Sequence, residues 1–308
     1  MDSDGYIYIE VLDKCIFFSL DKERYTPYTT FKGSFIIPQN CEEIVSIEFF
    51  IDDVSVHYGS VDMAKMTFKE GNYRLDISSR SYTLALGLNQ PIPQTNFAVS
   101  LDNLLSRNVS LANITCQDGT KTIDYIYVLE NSTLWDAIVA YSLKAYGTYP
   151  FIYKTNEVRV TAPPDSISRG YDTQNIVESY NVSTLSNLIS SIHMKDIDDT
   201  YNSYNLDNHY AISRDIIRHK LISLDMQWLA DTNMALTSRV NFAQRGTKQN
   251  GIKVLGYDGE ELFDKFTYNF EGVSNDECII HKLNISGSNN IVYTTMYQYD
   301  DAYRNLQG

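Results

Sequence analysis

The sequence runs to 308 residues, with 25 Lys and Arg against 39 Asp and Glu and a formal net charge of −14. With 43% hydrophobic and 21% charged residues it is too apolar for a disordered chain, and its acidity argues against a nucleic-acid binder, which needs a basic face to displace counterions. A chain of about 300 residues outgrows one simple core, so two or three domains are expected.

The start, Met1-Asp2-Ser3-Asp4-Gly5, is acidic and polar, so no secretory signal is expected there. No apolar run approaches the ~20 residues of a bilayer span, so stable membrane insertion is not expected. The first third reads as strands. Residues 6–11 and 15–18 are rich in β-formers around a turn at Asp13-Lys14, and residues 46–51 lead into 54–58 through Asp52-Asp53, a turn or bulge. Residues 63–68 and 73–77 follow, broken by Glu70-Gly71-Asn72, and residues 82–86 form a short apolar strand. Many short strands between turn signals point to a barrel or sandwich.

After Pro91-Ile92-Pro93, Phe97, Leu101, Leu104 and Leu105 fall at helical spacing. The clearest helix runs from Leu134 to Tyr146. Thr133 can cap it, Asp136 sits where a capping box needs it, and Gly147 supplies the stop. Residues 149–153 and 157–161 make a hairpin across Thr155-Asn156, and Ala162-Pro163-Pro164-Asp165 reads as a linker.

In the last third, residues 188–194 and 201–206 read as strands around a polar turn, while residues 209–224 are ambiguous. Met226, Leu229, Leu236, Val240 and Ala243 form a helical apolar stripe that Gly246 ends. A strand at 251–256 precedes a closing hairpin: residues 278–285, a turn at Gly287-Ser288-Asn289-Asn290, and a return over 291–299.

No pattern of residues makes an active site. Cys15, Cys41, Cys116 and Cys278 are scattered, and no CxxC pair indicates structural zinc. Neither a nucleophile elbow nor an H-E-x-x-H helix is present, and His57, His193, His209, His219 and His281 lack ligand spacing. Asp196-Ile197-Asp198-Asp199 lacks the glycine and closing glutamate of a calcium loop, so a solvated turn is expected. The expectation is a non-enzyme with no catalytic residue, no cofactor and no metal site. Five Asn-x-Ser/Thr sites, at Asn108, Asn113, Asn131, Asn181 and Asn284, match chance in an Asn-, Ser- and Thr-rich chain. The outlier is Tyr, at 24 residues. It fits strand packing, or a contact surface for protein or sugar.

Three segments, in order, resemble the baseplate hub proteins of contractile phage tails, a family that includes late control protein D and hub-like proteins of phage-tail-like bacteriocins. Ser79-Arg80-Ser81-Tyr82-Thr83-Leu84-Ala85-Leu86 resembles the strand before their first helical segment. Thr133-Leu134-Trp135-Asp136-Ala137-Ile138-Val139 through Tyr146-Gly147 resembles their helix–glycine–hairpin unit, and Val254-Leu255-Gly256-Tyr257-Asp258-Gly259-Glu260-Glu261-Leu262 with the closing hairpin resembles the end of their second tube-like domain.

The resemblance implies a mixed, mainly β fold: a tube-type β-barrel over 1–116, a small α+β domain over 117–172, and a second tube-type β-barrel with an inserted helix over 173–308. It implies a homotrimer whose six barrels form a pseudo-hexameric ring adapting the tail tube to the central spike. Tail tube, spike, baseplate wedge and tape-measure proteins would be the partners. It places candidate interface residues at Arg80, Tyr82 and Tyr257. The expected location is the baseplate of a virion or tail-like particle assembled in a bacterial cytoplasm. The sequence stops soon after the last hairpin, so no fused spike or lytic domain is expected. An acidic lumen would repel passing nucleic acid. A carbohydrate- or receptor-binding tail module is the alternative, and a glycan hydrolase the third.

Overall fold

A computed structural model describes residues 14–41, 43–108, 113–117, 119–163, 165–229, 231–288 and 291–299. The strand expected over 6–11, Asp13 of the following turn, Pro164 of the linker, and Asn289 and Asn290 of the closing turn lie outside the described residues. Strand β1 (Cys15–Glu23) is longer than its apolar start and pairs antiparallel with β2 (Thr30–Ile37), which the sequence pattern did not single out. Strands β3 (Ser46–Ile51), β4 (Val54–Lys69) and β5 (Asn72–Ser81) follow as hairpins. Asp52 and Asp53 take φ of 47° and 65°, and Glu70 and Gly71 take 53° and 81°. Both are two-residue turns whose backbone hand matches strand twist.

The strand expected at 82–86 is instead helix α1 (Leu84–Leu88). Ser81 ends the ladder, because its side chain accepts from the Thr29 amide at 2.9 Å and bonds the Thr83 hydroxyl at 2.7 Å. Such local bonds compete with sheet pairing. Phe97 belongs to β6 (Thr95–Val99) rather than to the following helix, α2 (Leu101–Asn108), which buries Leu101, Leu104 and Leu105 as expected. After β7 (Thr115–Cys116) and β8 (Ile123–Tyr127), helix α3 (Leu134–Tyr146) has the anticipated bounds. Thr133 and Asp136 close a full capping box, and Gly147 stops the helix in the left-handed region at φ 67°. The hairpin of β9 (Phe151–Tyr153) and β10 (Glu157–Arg159) then forms as read.

Strands β11 (Ser168–Tyr171), β12 (Ile176–Ser183), β13 (Ser191–Met194) and β14 (Tyr204–Asp207) precede α4 (His209–Ile212) and β15 (His219–Ile222). The long helix expected from Met226 starts later, as α5 (Thr232–Gln244). Asp225 holds the Gln227 amide at 3.0 Å, which turns the chain, and Asp231 caps the helix through the Met234 amide at 3.0 Å. Strand β16 (Lys248–Leu255) is followed by β17 (Lys265–Phe270), β18 (Val273–Ile279), β19 (Lys282–Ser288) and β20 (Ile291–Tyr299). The strand expected over 278–285 is therefore two. Between them Ile280 donates to the Asp264 carbonyl at 2.9 Å and His281 to that of Tyr297 at 2.9 Å, so the chain changes sheets there.

The main feature is a nine-stranded sheet in the order β12-β16-β20-β19-β1-β2-β5-β4-β3, antiparallel throughout. Strands from the two ends of the chain join where β1 meets β19, from Phe18 against Gly287 to Glu23 against Lys282. One hydrophobic core runs under both halves, with Leu20, Phe31 and Leu75 beside Ile252, Phe266 and Ile285. A second core wraps α3, and a small third core packs α5 on β13. The fold is mainly β with a small helical insert.

Candidate functional site

Strand order within the large sheet repeats. In chain order, β1, β2, β4 and β5 lie as β1-β2-β5-β4, and β12, β16, β19 and β20 lie as β12-β16-β20-β19. The two four-stranded units share one topology and sit in tandem, the last strand of the second unit bonded to the first strand of the first. Among the described residues the sheet ends in β12 on one side and in β3 on the other, with part of β4 left uncovered by β3. On one side, β12 pairs only with β16 and is exposed from Val177 to Ser179 and from Asn181 to Ser183. On the other, β3 and the Val45 carbonyl before it cover β4 as far as Val61, so among the described residues Asp62–Lys69 of β4 has only β5 beside it. Free edges are templates for further strands.

Alternation along the registers sets one face of the sheet away from the core. That face carries Lys32, Lys65, Lys69, Arg74, Arg80, Lys253 and Lys282 among Asp21, Glu23, Asp62, Asp76 and Glu178. Most charges have neighbours of use. Arg74 lies 2.9 Å from Asp76, and the Lys253 ammonium lies 4.5 Å from the centre of the Tyr293 ring. Tyr180, which donates to Glu178, packs 5.7 Å from Tyr297. The acidity of the chain as a whole is therefore absent from this face, whose charge is mixed.

Of the three residues picked out by resemblance, Arg80 and Tyr82 lie two positions apart and each meets its own partners. Arg80, in β5, donates from Nε and Nη2 to both oxygens of Asp62 at 2.7 and 2.8 Å, and stacks 5.6 Å from the Tyr28 ring. These bonds to Asp62 raise its pKa. Tyr82 meets Tyr58 of β4 edge-on at 5.0 Å. Tyr257 follows β16, and burial first, then the nearby Glu261 and Glu260 carboxylates, push its hydroxyl pKa well up. Strands β20, β19, β1 and β2 separate β16 from β5, so Tyr257 and Arg80 belong to different units of the sheet.

Under the junction of the two units sits a polar cluster that the sequence did not reveal. Lys22 of β1, 2% exposed, places Nζ 2.6 Å from Glu261 Oε2. Asp264 accepts from Arg169 at 2.6 Å and from the Ile167 and Glu261 amides at 2.9 and 3.1 Å, and Glu260 accepts from the Tyr171 hydroxyl at 2.8 Å. Acceptors filled in this way make a structural lock. Nearby, buried His57 stands between two hydroxyls. Ser79 Oγ donates to the Ser60 carbonyl at 2.7 Å, so it accepts from His57 Nε2 at 2.8 Å, and Nδ1 accepts from Thr29 at 3.1 Å. Burial, and then the charge on Lys22, lower the imidazole pKa to about 3. The acidic turn expected at Asp196 is self-satisfied, with Thr200, Ser203 and two amides donating to its carboxylate, and these bonds lower its pKa to about 2. Among the described residues no group of three or more His, Cys, Asp or Glu could hold a metal ion, and no helix is long and apolar enough to cross a membrane.

No protein-family model matches the sequence, and no curated protein matches it. Solved structures do match across nearly the whole chain. The 43 kDa tail protein of prophage MuSo2 from Shewanella oneidensis superposes with a TM-score of 0.72 at 12% identity, covering 97% of both chains. The tail protein of Neisseria meningitidis MC58 gives 0.70 at 15%, covering 94% of this chain and 93% of that one. This chain has a phage tail-protein fold. A type VI secretion component of E. coli, described as similar in structure to the T4 tail proteins gp27 and gp5, shares the tail-protein fold more distantly, with a TM-score of 0.53 at 8% identity over 96% of this chain and 77% of its own.

Proposed function

We propose that this chain is a structural baseplate hub of a contractile tail or tail-like injection particle, three copies closing into a ring that adapts the tail tube to the central spike. The tandem repeat of one sheet topology, with complementary edges left over, carries this reading. Within one copy, β19 of one unit pairs antiparallel with β1 of the other. The same operation applied outward pairs the uncovered part of β4 of one copy with β12 of the next, a head-to-tail contact that can close into a ring. Lys65 and Lys69 on the β4 edge face Glu178 on the β12 edge in sign. The count of three comes from the family resemblance, in which two barrels per copy match a six-fold tube.

On this reading the units are the tube-type barrels expected over 1–116 and 173–308, with the small α+β domain at 117–172 between them. Arg80 lies one strand in from β4, and Tyr257 just past the end of β16, the strand beside β12, where an interface residue would act by bracing the neighbouring edge strand. Tail tube, spike, wedge and tape-measure proteins are the proposed partners, in the baseplate of a virion or tail-like particle. The role needs no catalysis by this chain.

The test is the mass in solution by sedimentation at micromolar concentration. The expected result is a trimer, which replacement of Val177 and Val182 by Lys, both on β12 and at 43% and 38% exposure, converts to folded monomer. A wild-type protein that stays monomeric alone and with its spike and tube proteins would overturn the reading.

A further inference from the structure

A cleft of about 430 Å³ opens between helix α3 and the small sheet module of α5 and β15, away from the large sheet and its edges. Val139 and Leu143 of α3 form one wall, and Trp228 and Phe242 the other. Leu129 in its lining is 50% exposed, and Met226 and Leu229, next in sequence to the lining residues Gln227 and Trp228, are 38% and 48% exposed. An apolar cleft that spreads into an exposed apolar rim is shaped for a chain lying across it rather than for an enclosed small molecule.

The polar groups around the cleft point to the chemistry of that chain. Its carboxylates are already taken. Asp225 accepts from Arg239 at 2.6 Å and from the Gln227 amide at 3.0 Å, and Asp136 is spent on the capping box of α3. What is left over are donors. Gln227 is 8% exposed; its Oε1 accepts from the Tyr127 amide at 2.8 Å, which fixes the amide orientation and leaves Nε2 buried without an acceptor among the described residues. A buried donor without an acceptor costs free energy. Lys220, exposed on β15, lines the same cleft and has no carboxylate partner among the described residues.

We propose that this cleft is a docking site for an extended segment of a partner protein that carries a carboxylate next to an apolar side chain. The apolar side chain enters between Leu143 and Phe242, and the carboxylate meets Lys220. The site is independent of ring closure, which uses the sheet edges.

A display library of random dodecapeptides panned over the intact protein tests it, with enriched peptides synthesised and titrated by calorimetry. The expected consensus places Asp or Glu beside Leu, Ile or Phe. Affinity is expected to fall at least tenfold in Lys220→Glu and in Leu129→Asp, two exposed positions where circular dichroism should report an unchanged fold. Failure to enrich any peptide, a basic or uncharged consensus, or affinity indifferent to both substitutions would overturn the proposal.

Discussion

Lys22 and Glu261 stand 239 positions apart and meet in the interior at 2.6 Å. Removing one partner leaves the other as a buried, uncompensated charge, so Lys22→Met should cost about 3–5 kcal/mol, and Glu261→Leu added to it should recover much of the loss. Urea unfolding of the single and double variants measures both. His57 gives a pH signature. Its folded pKa, about 3, lies below its ordinary 6.5, so protonation favours the unfolded chain. Its stabilising share is complete above pH 6.5 and declines as pH falls from there toward 3, by about 1.4 kcal/mol per pH unit. The slope of unfolding free energy just below pH 6.5 should therefore be shallower in His57→Gln than in wild type; equal slopes would refute the buried neutral imidazole. Neither group was legible in the sequence. A lysine in a strand looks the same whether it faces water or a glutamate more than two hundred residues away.

Among the elements, α3 was the most legible because its signals are local. The cap, the capping-box acid and the terminal glycine fall within one turn of its ends, and Thr133→Ala should lower stability by about 1 kcal/mol in thermal unfolding. The strands read at 54–58 and 63–68 are one strand, β4, and its close approach to β5 was not legible. At Gly59 an added Cβ would sit 2.1 Å from the Arg80 carbonyl oxygen, so β4 and β5 approach there more closely than any side chain allows. Gly59→Ala should cost about 1–3 kcal/mol, read from the urea midpoint. The misread elements were redirected by bonds that apolar spacing does not report. Residues 82–86, 226–231 and 278–285 have the right apolar spacing, but side chains of Ser81 and Asp225, and the sheet change at Ile280-His281, redirect the chain. Hydrophobic period reports burial, and capping bonds decide where an element starts and stops.

At the scale of the whole molecule, the net charge of −14 invited an acidic passage, whereas the core-averted face of the sheet is mixed. Carboxylates there hold the arginines: Asp62 binds Arg80 through two bonds, and Asp76 lies 2.9 Å from Arg74. Wild-type protein should not retard a short DNA duplex at physiological salt, while Asp62→Asn combined with Asp76→Asn should retard it at low salt in a mobility assay. Retardation by the wild type would show that the pairing does not neutralise the face.

Sequence alone determined the β-rich class, the helix α3 with both of its ends, the turns at Asp52-Asp53 and Glu70-Gly71, and the overall acidity. These depend on interactions within a few residues, where spacing and side-chain chemistry suffice. Tertiary structure alone decided that the two ends of the chain share one sheet through β1 and β19, which edges stay open, and which charges face one another inside. Alternation tells a strand which side to bury and is silent on which strand will lie beside it, because that choice is made by the packing of segments far apart along the chain.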